Sequence, residues 1–86
     1  MKRYFKHEAE SVIGSGVAYI EFDDEWASRQ VEIYGTRWFC SNREYHEELG
    51  PALADQPLSM LELLPEHEIS REEFEAIWQK AQDLCD

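Results

Sequence analysis

Between Val17 and Cys40, three β-rich runs are separated by only two short turns. Connections that short join neighbouring strands as antiparallel hairpins, because a parallel return needs a crossover of a dozen residues or more. The first run is Val17-Ala18-Tyr19-Ile20-Glu21-Phe22, which places Ala18, Ile20 and Phe22 on its expected buried face and Val17, Tyr19 and Glu21 opposite. Asp23-Asp24-Glu25 is an acidic turn with Trp26 beside it. The second run, Ser28 to Tyr34, sets Gln30, Glu32 and Tyr34 against Arg29, Val31 and Ile33. Gly35-Thr36 fits a tight turn, because glycine reaches positive φ at low cost, and Arg37-Trp38-Phe39-Cys40 returns as a further strand.

Upstream, Lys2 to Ala9 reads as a strand with Tyr4 and Phe5 on opposite faces. Glu10 to Gly16, with Ser11, Gly14, Ser15 and Gly16, reads as a flexible loop. Downstream, the capping box Ser70-Arg71-Glu72-Glu73 starts a helix: the Ser70 hydroxyl can accept the Glu73 N–H, and Glu72 and Glu73 suit the positive helix end. Phe74, Ile77, Trp78 and Ala81 recur at helical spacing, with Leu84 or Cys85 as a last contact, while Glu75, Gln79, Gln82 and Asp83 form a polar face. The middle, Ser41 to His67, is irregular. A helical turn is expected over Asn42 to Leu49, ending at Gly50-Pro51, and a second between Pro57 and Pro65, where Ser59-Met60-Leu61-Glu62 has capping-box spacing. Leu58, Leu61 and Leu64 would plug an edge or end of the sheet.

The expected architecture is therefore α+β. Four antiparallel strands and a middle segment with short helical turns are closed by one amphipathic helix, Ser70–Leu84, packed on the sheet. Eighty-six residues make one domain, 1–86, with no room for a second core.

Most of the chain resembles a family of small bacterial α+β domains that have no assigned activity. The resemblance rests on Arg29-Gln30-Val31-Glu32-Ile33, on Pro57-Leu58-Ser59-Met60-Leu61, and on Glu68-Ile69-Ser70-Arg71-Glu72-Glu73-Phe74-Glu75-Ala76-Ile77-Trp78. It spans residues 17 to 81, and the N-terminal strand and Trp38-Phe39 depart from it. It implies a sheet closed by a C-terminal helix and carries no chemistry.

Charge narrows the function. Nineteen Asp and Glu face eight Lys and Arg, for a net −11, which repels phosphate backbones and anionic membranes and disfavours direct nucleic-acid binding. No apolar run follows Met1-Lys2-Arg3, so neither signal peptide nor membrane span is expected, and two cysteines are too few for a secreted disulfide scaffold. A cytoplasmic setting with reduced thiols is the expectation.

No residue set carries catalytic, cofactor or metal chemistry. His46 and His67 stand 21 residues apart, and neither Cys-x-x-Cys nor His-x-x-x-His occurs. Cys40 in a strand beside Trp38 and Phe39 reads as a small hydrophobe rather than a nucleophile. Asp23-Asp24-Glu25 lacks the alternating ligands and central glycine of a calcium loop, and Ile13-Gly14-Ser15-Gly16 lacks the third glycine and following helix of a phosphate cradle.

The aromatics are the remaining signal. One helix covers one face of a sheet, so Tyr19, Tyr34 and Trp38 either share an open face or lie beneath Ser41–Pro65. The candidate partner-binding set is Tyr19, Asp23, Asp24, Glu25, Trp26, Tyr34 and Trp38, and the partner expected is a protein, a basic one being favoured by charge. An inhibitor or immunity-type protein that blocks a basic nucleic-acid-binding surface is a sharper version of this reading. A small-molecule binder or enzyme, using a pocket between the sheet and Ser41–Pro65, is the alternative from another class.

Overall fold

The computed structural model describes residues 2–11, 14–41, 45–46, 50–51 and 65–84. Strands β1 (Lys2–Ser11), β2 (Gly14–Asp23), β3 (Trp26–Tyr34) and β4 (Arg37–Ser41) form an antiparallel meander. Two further pairs, β5 (Tyr45–His46) and β6 (Gly50–Pro51), form a separate two-stranded ladder. A 3₁₀ turn, Pro65–His67, leads into β7 (Glu68–Ile69) and then α1 (Arg71–Leu84). The main sheet has five strands in the order β4-β3-β2-β1-β7.

The α+β class, the antiparallel sheet and the C-terminal helix agree with the sequence. The strand count is corrected from four to five. β7 adds to the outer side of β1, pairing Tyr4 with Ile69 and Phe5 with Glu68, and two residues are too few to show a two-residue period. A bidentate pair, Arg3 Nε and Nη2 on the two Glu68 carboxylate oxygens at 3.1 Å each, ties β7 down. The loop expected over Glu10–Gly16 is also corrected. The β1–β2 ladder continues to Ser11 opposite Gly14, because glycines and serines do not prevent pairing between two long strands. Gly16 is required here for another reason. A methyl group at this position would run into the Ile33 carbonyl oxygen and stand 2.6 Å from the Tyr34 ring. Tyr45–His46 is extended rather than helical, pairing with Gly50–Pro51 across residues 47–49. The expected turn between Pro57 and Pro65 lies outside the described residues, as does Cys85.

Two apolar clusters lie on opposite faces of the sheet. Tyr4, Tyr19 and Val31 pack under Phe74 and Ala81 of α1, with Val17, Ile33, Trp38, Cys40, Ile77 and Trp78 around them. Phe5, Ala18, Ile20 and Phe22 form the second cluster, with Phe5 and Phe22 edge-to-face at 5.8 Å. Both faces of β2 are therefore buried, which corrects the expectation of a single buried face. The helix selects the Tyr19 side, where the Tyr4 and Phe74 rings meet at 5.2 Å. Its start is capped as expected, with the Glu73 N–H donating to Ser70 Oγ at 3.1 Å. Its end is not anchored by Leu84, which is 46% exposed.

The β2–β3 and β3–β4 connections are two-residue turns. Asp24 (φ 59°) and Gly35 (φ 64°) take the left-handed conformation that each turn needs, tolerated by aspartate and free for glycine. Near the first turn the register slips: Glu21 opposes Arg29, but Phe22 opposes Ala27. Ser28 is the extra residue, and this bulge prepares an arrangement of charges inside the fold.

Candidate functional site

The seven residues singled out from the sequence separate into two groups. Asp23, Asp24, Glu25 and Trp26 come together on the β2–β3 turn and are exposed, Trp26 at 56%. Tyr19, Tyr34 and Trp38 do not join them. Tyr19 is buried beneath α1, and Trp38 is half-buried in the same cluster, with Lys80 Nζ 5.6 Å from its ring centre. Tyr34 belongs to the other face, where its hydroxyl donates to Glu32 Oε1 at 2.5 Å and its ring meets Phe39 edge-on at 6.3 Å. The expectation that the three aromatics share one face is therefore corrected. Tyr19 and Tyr34, at 7% and 5% exposure, are core residues. The reason is the two-residue period: Tyr19 and Tyr34 project to opposite sides of their strands, and both sides are covered.

Two residues before the acidic turn lies a set of charges that the sequence did not single out. The Glu21 side chain is 2% exposed. Arg29 donates to it twice, from Nε to Oε1 at 2.9 Å and from Nη2 to Oε2 at 2.6 Å. Ser28 Oγ donates to Oε1 at 2.6 Å, and Lys2 Nζ stands 3.9 Å from Oε2. The bulge allows Ser28 and Arg29, adjacent in sequence, to address one carboxylate. The other side of the same guanidinium grips the helix, with Nη1 and Nη2 on the two Glu75 oxygens at 3.1 and 3.0 Å. Its plane also lies over Phe74 and Trp78, 5.1 and 5.0 Å from the ring centres. Arg71 adds a weaker contact to Glu75 at 3.8 Å.

The electrostatics follow from this geometry. Burial alone would raise the Glu21 carboxyl, but the hydrogen bonds from Arg29 and Ser28 outweigh it and hold the group at about 2. The hydrogen bonds to Glu21 and Glu75 raise the Arg29 guanidinium, and the Arg29 contact lowers Glu75. Burial, followed by the Glu21 charge, pushes the Tyr4 phenol up. Every group in the set has a partner among the described residues. It is a lock between sheet and helix, with Arg29 joining Glu21 of β2 to Glu75 of α1. The sequence carried only part of the signal: Glu21 and Arg29 lie on adjacent strands beside Tyr19 and Val31, but the bulge at Ser28 is what brings them to facing positions.

Among the described residues, no group of three or more His, Cys, Asp and Glu is arranged to hold a metal ion, and no helix is long and apolar enough to cross a membrane. Cys40 is a half-buried free thiol with Gln82 Nε2 3.9 Å from its sulfur. An open hollow of about 410 Å³ lies at the far end of the β1–β2 hairpin, lined by Glu8, Ala9, Glu10, Ser15 and Gly16. Comparison of the chain with protein-family models, curated proteins and solved structures found no match.

Proposed function

We propose that this chain is a protein-interaction module that recognises its partner through the acidic β2–β3 turn, working in the cytoplasm with reduced thiols as a member of the bacterial domain family it resembles. The observation that carries this reading is Trp26, a large aromatic 56% exposed at the start of β3 beside the two-residue turn, with the exposed carboxylates Asp23, Asp24 and Glu25 next to it. An exposed indole within a charged rim has the composition of an interface anchor. The net charge of −11 favours a basic partner and steers its approach. It equally supports the sharper version, a blocker of a basic nucleic-acid-binding surface. Trp38, half-buried under α1, contributes support to the helix rather than contact.

The test is recovery of partners from native lysate at low and high salt, followed by binding kinetics on the recovered protein. Reversing Asp23 and Glu25 to Lys should slow association by about tenfold at low salt, with the difference shrinking as salt screens the charges. Association unchanged by the reversal, together with turnover of a small molecule by the purified chain, would move the reading to the ligand-binding or enzymatic alternative.

A further inference from the structure

Among the described residues, the outer side of β1 is paired over only part of its length, and the Pro65–His67 turn lies against the strand beside β7. β7 pairs with Tyr4 and Phe5, and among the described residues nothing pairs with Lys6–Glu10 on the side away from β2. Alternate residues of such an edge point backbone N–H and C=O groups outward, and the stretch is long enough, at roughly 17 Å, to hold a short added strand. One group in it has an internal contact, the Glu8 carbonyl oxygen at 2.6 Å from His7 Nδ1.

The side chains along this edge carry a definite charge. Lys6, Glu8 and Glu10 are exposed and share one face, opposite Tyr19, Val17 and Ser15 of β2. Lys6 turns inward, its Nζ 5.5 Å from the centre of the Tyr19 ring. Glu8 and Glu10 remain, and both line the hollow of about 410 Å³ beside the strand. Carboxylates on an open edge repel acidic strands. A second copy of this chain is repelled as well: antiparallel self-pairing centred on Glu8 would oppose two Glu8 side chains and join two bodies of charge −11. An extended segment with Lys or Arg at alternate positions meets neither obstacle. Its cations fall opposite Glu8 and Glu10, and the hollow has room for one of them.

We propose that the Lys6–Glu10 edge of β1 is a docking edge for an extended basic segment of a protein partner, which joins the sheet as an added antiparallel strand. The proposal rests on the reading of the chain as an interaction module, but on a different surface from the Trp26 turn. Backbone hydrogen bonds supply the pairing, and Glu8 and Glu10 supply selectivity for cationic side chains.

The experiment titrates the isotope-labelled full chain with three capped peptides and follows backbone amide shifts. The probes are Lys-Val-Lys-Val-Lys, Glu-Val-Glu-Val-Glu, and the basic peptide methylated at alternate backbone nitrogens. The basic peptide should shift the amides of Lys6–Glu10, the acidic one should not, and alternate methylation should weaken binding by about tenfold or more by removing strand donors. Glu8→Lys/Glu10→Lys should abolish the shifts, and Glu8→Gln/Glu10→Gln should weaken them, with the remaining spectrum showing that each variant is folded. Equal binding of the acidic peptide, shifts confined to Asp23–Trp26, self-association through β1 without peptide, or no shift at millimolar peptide would each overturn the proposal. Shifts confined to Asp23–Trp26 would move the basic segment to the Trp26 turn and so support that reading, whereas the role of Trp26 fails separately if its removal leaves the recovered partner's kinetics unchanged.

Discussion

Glu21 and Asp23 stand two residues apart on one strand, and the fold treats them in opposite ways. Glu21 is enclosed with Arg29 and Ser28 on it and Glu75 completing the set from the helix, whereas Asp23 sits in solvent at the start of the acidic turn. The aromatics nearby divide similarly: Phe74 and Trp78 stack on each other and pack against Arg29 inside, and Trp26 stands outside. The same residue types thus perform two tasks within one short stretch of chain. In an acidic protein the number of carboxylates says little; which of them the backbone turns inward decides whether they hold the fold or face a partner.

This division can be broken most severely at Arg29. Arg29→Met keeps most of the packing but leaves the buried Glu21 carboxylate with only Ser28 and the more distant Lys2, and should lower stability by about 3–5 kcal/mol in denaturant titration. The double variant Glu21→Gln/Arg29→Met should lose clearly less than the two single variants together, because the charge that needs a partner is gone. Strict additivity would mean that the pair is not coupled.

Acid provides the next largest effect. Glu21 is held at about 2 against an ordinary value of 4.5, so its ionised form favours the folded state. That stabilisation is fully present above the ordinary carboxylate range and is lost as pH falls from about 5 towards 2, amounting to about 3 kcal/mol. Glu21→Gln should flatten this part of the pH–stability curve relative to the parent chain. An unchanged slope would place the acid sensitivity in other carboxylates. Ser70→Ala is smaller: loss of the Oγ acceptor at the start of α1 should cost about 1 kcal/mol and loosen the Glu75 side of the lock first, visible as faster amide exchange in the first helical turn. A loss within error would show that the helix is positioned by Phe74 and Arg29 alone.

The meander and the helix were legible because their signals are local. Alternation from Ser28 to Tyr34, the Gly35-Thr36 turn and the Ser70 capping box each fix a conformation within a few residues. β7 escaped because Glu68-Ile69 is defined by its neighbour, β1, and not by its own pattern. The exposure of Tyr19 and Tyr34 was misjudged because alternation assigns residues to faces without saying what covers each face. The lock escaped for the same reason at longer range: Arg29 and Glu75 are 46 residues apart, and the Ser28 bulge that aligns the group has no signature in the local sequence. Of the candidate site, the part read correctly as a solvent-facing turn is the part set by short-range chemistry, Asp23 to Trp26.

The most direct test of this division is made at Trp26. Dissociation from the recovered partner and the denaturation midpoint should be measured together for the parent chain and Trp26→Ala. The inside–outside account predicts a change in stability below about 0.5 kcal/mol, as for a largely exposed side chain. It also predicts dissociation faster by about thirtyfold or more, as for the loss of an interface anchor. Dissociation at the parental rate, or a large fall in the midpoint, would contradict it and make Trp26 part of the scaffold.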